Sequence, residues 1–214
     1  GSGAVDKKRP DFDNRAAQWD ALPRRVALAN AVVAAIQRNV DLQPWMRMLD
    51  YGCGTGLVTF GLQPLVQEVI AVDSSRGMLE QLELKAREAG ITNLSTVFID
   101  LDSEWQLPDG IDLLVSSMTI HHVPEVAELF SRFHAVMNPG AWLCVADLEK
   151  EDGSFHEDQV AHIPHQGFSA QEMEHYFREA GFKKITTCPV MHVQKEREGT
   201  VRNYPVNLTL GHRV

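Results

Sequence analysis

Three cysteines, Cys53, Cys144 and Cys188, are too few and too scattered for a disulfide framework, and no CxxC pair is among them. A reduced, cytoplasmic protein is the expected setting. The chain carries no charged-then-apolar leader and no apolar run of about 18 residues, so no membrane span is expected. An excess of positive charge is also missing. With 29 acidic against 20 basic side chains the net charge is −9 and the pI near 5.4, which gives no general attraction to phosphate backbones or anionic bilayers. Neither nucleic acid nor membrane is an expected partner. Internal repeats and low-complexity tracts are absent too, and 214 residues at 44% hydrophobic composition suffice for one ordinary core. A single domain over 1–214 is expected, with an N-terminal arm or lid over 1–22.

What is present is an alternation of strand-like and helix-like segments. A mostly apolar helical pattern over 24–39 precedes the strand MRMLDY (46–51). A helix over 56–66, the strand EVIAVD (68–73) and an amphipathic helix over 75–89 closed by Gly90 follow. The pattern continues with strands over 94–100 and 111–117, a helix over 124–137 ended by Asn138-Pro139-Gly140, and a strand over 141–147. This spacing predicts βαβ units and a mainly parallel sheet, with apolar runs such as LLV and IAV buried on both faces. Ser169 and Glu172 form a capping box for a last helix, and two long strand-like segments, 183–195 and 200–212, read as an edge hairpin turning near Glu198-Gly199.

In an open sheet of this kind ligands sit outside the carboxyl ends of the strands. There the sequence places Asp50, the glycine loop of Gly52, Gly54 and Gly56, then Asp73, Asp100, Ser117 and Asp147. Alternating glycines let a ligand approach the main chain closely. Asp73, ending the second strand, can accept both hydroxyls of a ribose. Dinucleotide enzymes share that device but use GxGxxG, whereas the third glycine here falls at Gly56, giving GxGxG, and Asp50 would repel a pyrophosphate.

Taken together, LDYGCGTGL, AVDSS, FIDLD and SSMTIHHV resemble the class I S-adenosylmethionine-dependent methyltransferases, in particular the small-molecule branch that includes quinone-biosynthesis enzymes. Even DNRAAQWD is similar to the N-terminal lid helix of that group. The resemblance implies a doubly wound α/β Rossmann-like sheet of seven strands, order 3-2-1-4-5-7-6, mostly parallel with an antiparallel C-terminal strand. It implies S-adenosyl-L-methionine as cofactor and S-adenosyl-L-homocysteine as product. Gly52, Gly54 and Gly56 would pass under the methionine and ribose, with Asp50 near the amino group. Asp73, with Ser74 beside it, would hold the ribose diol; Met78 would lie against adenine, and Asp100 and the backbone of Leu101 would read its edge. Ser117 would border the sulfonium. Cys53 reads as packing, not as a nucleophile.

The acceptor side is less constrained. His121-His122 follows the fourth strand, and His156, His162 and His165 lie in the irregular segment over 147–168, expected to be a lid over the cleft. His122, His156 and His165 are the candidate catalytic residues, supplying a base or hydrogen bonds to substrate. A metal site is the other reading of this segment, since histidine with carboxylate ligates Zn, Fe or Ni, but HxxxxxHxxH matches no standard zinc spacing and no metal is expected. The strand-four end reads SSMT and lacks the Asn/Asp-Pro-Pro-Tyr/Phe pattern of similar amino-directed enzymes on DNA, RNA and protein. A small-molecule acceptor is therefore expected, in a monomer or homodimer. Binding of the adenosyl cofactor without methyl transfer, a protein or RNA substrate, and a dinucleotide-dependent oxidoreductase are the alternatives.

Overall fold

A computed structural model describes residues 11–156 and 163–214. Seven strands form one sheet: β1 Arg47–Tyr51, β2 Glu68–Asp73, β3 Leu94–Phe98, β4 Ile111–Ser117, β5 Met137–Leu148, β6 Lys183–Arg197 and β7 Thr200–His212. Their order is β3-β2-β1-β4-β5-β7-β6. The pairs β1 with β2, β1 with β4, β2 with β3 and β4 with β5 are parallel, and β7 runs antiparallel to both β5 and β6. The expected fold class and strand order are those observed. Helices α1 Phe12–Arg15, α2 Pro23–Asn39, α3 Leu57–Leu62, α4 Arg76–Glu88, α5 Val126–Val136 and α6 Ala170–Glu179 complete the elements, apart from three short 3-10 turns.

Alternation along the central strands assigns the two faces. Met48, Leu113, Val115 and Cys144 point to one side and pack with Val32 and Ile36 of α2 and with Leu62 of α3. Their neighbours Leu49, Leu114, Leu143 and Val145 point to the other, against Phe130 and Phe133 of α5 and Phe177 of α6. Both faces are dry, as continuous apolar runs require of strands covered by helices on each side.

Two boundaries differ from expectation for local reasons. Pro64 cannot donate to an α-helical ladder, so α3 stops at Leu62 and the chain passes through a 3-10 turn, Gln63–Leu65. Asn138-Pro139-Gly140 does end the helix, but inside β5: Ile111 pairs with Met137 and the register then jumps to Leu113 with Trp142. Gly140, at φ +87°, lies in the stretch the jump skips.

The hairpin is longer than the sheet it joins. Pairing of β5 with β7 ends at Leu148 with Val206, while β6 and β7 continue to Arg197 with Thr200. Glu198 and Gly199 both take positive φ, the two-residue turn that matches strand twist. Residues 192–205 thus form a two-stranded ribbon beyond β5. Its inner face still buries Val193 and Tyr204, which join the cluster containing Leu28 and Phe155.

The N-terminal segment is tied down. Asp13 accepts from the Ser75 hydroxyl at 2.6 Å and from Gly77 N at 2.8 Å, and Asp20 accepts from Thr55 Oγ1 at 2.6 Å and Lys85 Nζ at 2.7 Å. The strand order reverses between β1 and β4, where connections leave to opposite sides, and this crevice is where a ligand is expected.

Candidate functional site

The crevice opens into a cavity of about 1130 Å³ that collects side chains from both ends of the chain. One half is the glycine loop after β1. Gly52 N and Cys53 N both donate to the Val72 carbonyl, folding the loop back over β2. Gly52, Gly54 and Gly56 all have positive φ, but their surroundings differ. A Cβ on Gly54 would meet nothing closer than Met78 Sδ at 3.9 Å, so its bare backbone faces open space. At Gly56 a Cβ would strike Leu82 and Phe60 at 2.9 Å; this glycine serves the packing of the turn into α3 and does not line the cavity.

Asp50, Asp73, Ser74 and Met78 line the same half. The Asp73 carboxylate accepts from Gly54 N at 2.8 Å and Ser75 N at 2.9 Å, which fixes the loop while leaving lone pairs for a ligand. Burial pushes its carboxyl above the ordinary value, opposed by those backbone N–H groups. Asp50 is 2% exposed and accepts from Thr59 Oγ1 at 2.7 Å. Burial, with a smaller contribution from Asp73, pushes it up to about 7, so a cation placed beside it would be strongly favoured. Burial also pushes the Cys53 thiol well up, consistent with packing.

Leu101 and Ser117 line the cavity as well. Asp100 does not: it is exposed and accepts from Asp102 N and Ser103 Oγ, each at 3.0 Å, bracing a turn. Beside Ser117, Met118 sits in the left-handed region at φ +58°, held by its N–H on the Ala146 carbonyl. A non-glycine residue so placed at a strand end is a hallmark of functional clefts.

The other half is a cluster of imidazoles. His121 is 2% exposed, with Nδ1 2.6 Å from Asp147 Oδ1 and its backbone N donating to Asp147 Oδ2. Its Nε2 lies 3.1 Å from Nε2 of His156. His122 stacks on His121 with ring centroids 4.1 Å apart, and its Nδ1 is buried with no hydrogen-bond partner. Burial lowers His122 to about 2 and His156 to about 4, with His121 adding to both, so both rings are neutral at physiological pH. All three line the cavity. His165 does not; its Nε2 lies 2.9 Å from the Val123 carbonyl and its backbone N donates to the His121 carbonyl. His162 lies outside the described residues.

The candidates named from the sequence include His122 and His156 but not His121, which the structure places between them. The pairing of His121 with Asp147 across 26 residues left no local signal. Phe12, Trp19, Phe155, Val193 and Lys195 also line the cavity, from the N-terminal segment, the 147–168 segment and the ribbon.

The chain matches the family described as methyltransferase domain over residues 19–187. It is 29% identical over 149 residues to an uncharacterized methyltransferase of Schizosaccharomyces pombe, covering 63% of this chain and 52% of that one. A ubiquinone biosynthesis O-methyltransferase of Leptothrix cholodnii is 23% identical over 121 residues, 56% of this chain and 52% of the relative. The chain spans about half the length of these curated relatives. Among solved structures, a SAM-dependent methyltransferase from Aquifex aeolicus superposes with a TM-score of 0.71 at 19% identity, covering 96% of this chain and all of that one. Phosphoethanolamine N-methyltransferase 2 of Haemonchus contortus gives 0.73 at 16% identity, covering 98% and 60%. The chain belongs to the methyltransferase domain family, on the fold of the class I S-adenosylmethionine-dependent methyltransferases.

Proposed function

We propose that the chain binds S-adenosylmethionine in the glycine-loop half of the cavity and transfers its methyl group to a small molecule seated against the imidazoles. The observation that carries this reading is the single cavity with two chemically distinct halves. The glycine half fits the cofactor: open space above Gly54, spare lone pairs on half-buried Asp73, and an Asp50 that would gain from a neighbouring ammonium. When bound, the cofactor supplies an already activated sulfonium methyl, so positioning and water exclusion matter more than acid–base power.

The protein's own residues then divide the work. Gly52, Gly54, Asp50, Asp73, Ser74, Met78, Leu101 and Ser117 form the cofactor wall; Gly56 sets the turn and Asp100 braces the chain at Leu101. His122 and His156 contact the acceptor. As neutral rings they are better suited to hold its nucleophilic group than to carry a proton away. His165 positions the cluster through the His121 carbonyl. The N-terminal segment and the 147–168 segment, apart from residues 1–10 and 157–162, which lie outside the described residues, act as lids on a single domain, a reading supported by Trp19 and His156 at the cavity. No helix among the described residues is long and apolar enough to cross a membrane.

Incubation with S-adenosylmethionine and a metabolite panel, read as S-adenosylhomocysteine release, tests this directly. Turnover with a small hydroxylated or amino acceptor is expected. Calorimetric binding of NAD but not of the adenosyl cofactor would sink the proposal.

A pH dependence follows from Asp50. Its folded value is raised above the ordinary 3.8, so its contribution to stability is full below about 4 and is lost as pH rises through about 7. Ligand-free protein should melt at lower temperature at pH 8 than at pH 6, and Asp50→Asn should flatten that slope. Cofactor binding, which favours the carboxylate, should weaken by up to about tenfold per pH unit below 7. Identical slopes in the variant would remove Asp50 from this role.

A further inference from the structure

We infer that His121, His122 and His156 form a binding site for one divalent first-row transition metal, with Asp147 as the carboxylate behind it. One ring nitrogen from each histidine can be chosen so that all three lie within 4.8 Å of one another. Ligand nitrogens about 2.0–2.1 Å from a tetrahedral centre stand roughly 3.3 Å apart, and the Nε2 atoms of His121 and His156 are 3.1 Å apart. That edge of the triangle already has the dimension of a coordination sphere.

The tautomers agree with this. Asp147 accepts from Nδ1 of His121 at 2.6 Å in a pair that is 2% exposed on each side, so the Nε2 lone pair of His121 is directed at His156. A carboxylate on the far nitrogen of a ligating imidazole is the usual support of a histidine metal ligand, fixing its orientation and raising its basicity. Asp147 is itself immobilised by backbone N–H groups of His121 and Leu148. His122 Nδ1 makes no protein hydrogen bond although it is buried, so that ring is uncommitted at one nitrogen.

Three imidazole ligands suit zinc, iron, cobalt, nickel or copper in preference to magnesium or calcium, which prefer oxygen. Three protein ligands leave a further coordination position, the arrangement of catalytic and not of closed structural sites. The cluster lines the cavity, so that position faces the acceptor half. An acceptor that coordinates through oxygen or nitrogen would be selected and oriented there; this last role rests on the methyl-transfer reading above, whereas metal binding does not.

The test uses tag-free full chain stripped with chelator, titrated with Co(II) by absorption and Zn(II) by calorimetry, with elemental analysis of the product. One equivalent per chain is expected, with the visible bands of a low-coordinate Co(II) centre. His122→Ala and His156→Gln should each weaken Zn(II) binding at least 100-fold while still unfolding cooperatively, and Asp147→Asn should weaken it about 10–100-fold. Absence of stoichiometric metal in the wild type would overturn the site in favour of a plain hydrogen-bonded Asp147-His121-His156 chain, and so would unchanged affinity in both histidine variants. S-adenosylmethionine calorimetry on the same stripped protein separates the two proposals: cofactor binding without metal binding defeats only the metal site, and metal binding without cofactor binding defeats only the methyltransferase reading.

Discussion

Asp73→Ala should raise the dissociation constant for S-adenosylmethionine by about 100-fold or more, measured by calorimetry on folded protein. Two ribose hydroxyls donating to a carboxylate are charge-assisted contacts worth on the order of 1.5–3 kcal/mol each, and about 1.4 kcal/mol is tenfold in affinity. The effect is compounded because the same carboxylate holds Gly54 N and Ser75 N. Removing it frees the loop as well as the ligand contacts, so binding entropy worsens too. Asp73→Asn retains an acceptor oxygen and should fall between wild type and alanine. Unchanged affinity in the alanine variant would refute the ribose assignment.

Gly52→Ala should destabilise the protein by about 2–6 kcal/mol and abolish cofactor binding, read by chemical denaturation and calorimetry. Two independent penalties combine. The backbone sits at φ +72°, where an L side chain carries strain of about 1–2 kcal/mol. An added Cβ would also lie 2.3 Å from Oγ1 and 2.4 Å from Cγ2 of Thr119, far inside contact distance. Thr119 cannot simply rotate away, because its hydroxyl donates to the carbonyls of Gly52 and Ser117. A double variant with Thr119→Ala separates the two in part: the contacts with Oγ1 and Cγ2 go, but the 2.8 Å approach to the residue 119 Cβ stays, so its loss should fall below that of the single variant and above the backbone strain of about 1–2 kcal/mol. Equal loss in the single and double variants would show that the clash contributes nothing.

The glycine-loop half of the cavity was legible in the sequence because its parts are local. A glycine loop follows an apolar strand, acidic residues end successive strands, and the parallel sheet lines those ends up whatever the details of packing. Roles within that half were less legible. Gly56 belongs to the same glycine pattern as Gly54, yet it answers to Leu82 and Phe60 and not to the cavity. Asp100 stands at a strand end like Asp73, but a turn consumes its carboxylate.

The imidazole half resisted reading for a physical reason. His121, Asp147 and His156 come from the turn after β4, the end of β5 and the segment beyond it; the pairing of β4 with β5 brings the first two together, and Lys195 and Arg197 hold the carbonyl of Phe155 next to the third. A linear spacing such as HxxxxxHxxH records none of this, and it gave weight to His165, whose ring faces Val123 instead. The excess length of β6 and β7 over β5 is likewise invisible until the partner strand is known.

That excess length divides the molecule's tolerance to change. Residues 192–205 pair as strands only across their own hairpin, and their other ties run to the segment after β5: Glu149 N donates to the Pro205 carbonyl, Lys195 Nζ to the Phe155 carbonyl and Arg202 to Asp152. Val193 and Lys195 nevertheless reach the cavity from this ribbon. The chain therefore has a fixed jaw, whose geometry is set by the sheet, and an adjustable one that can be reshaped residue by residue. Substitutions at Val193 or Lys195 thus change the wall of the cavity without altering the strand pairing that sets the loop at Gly52.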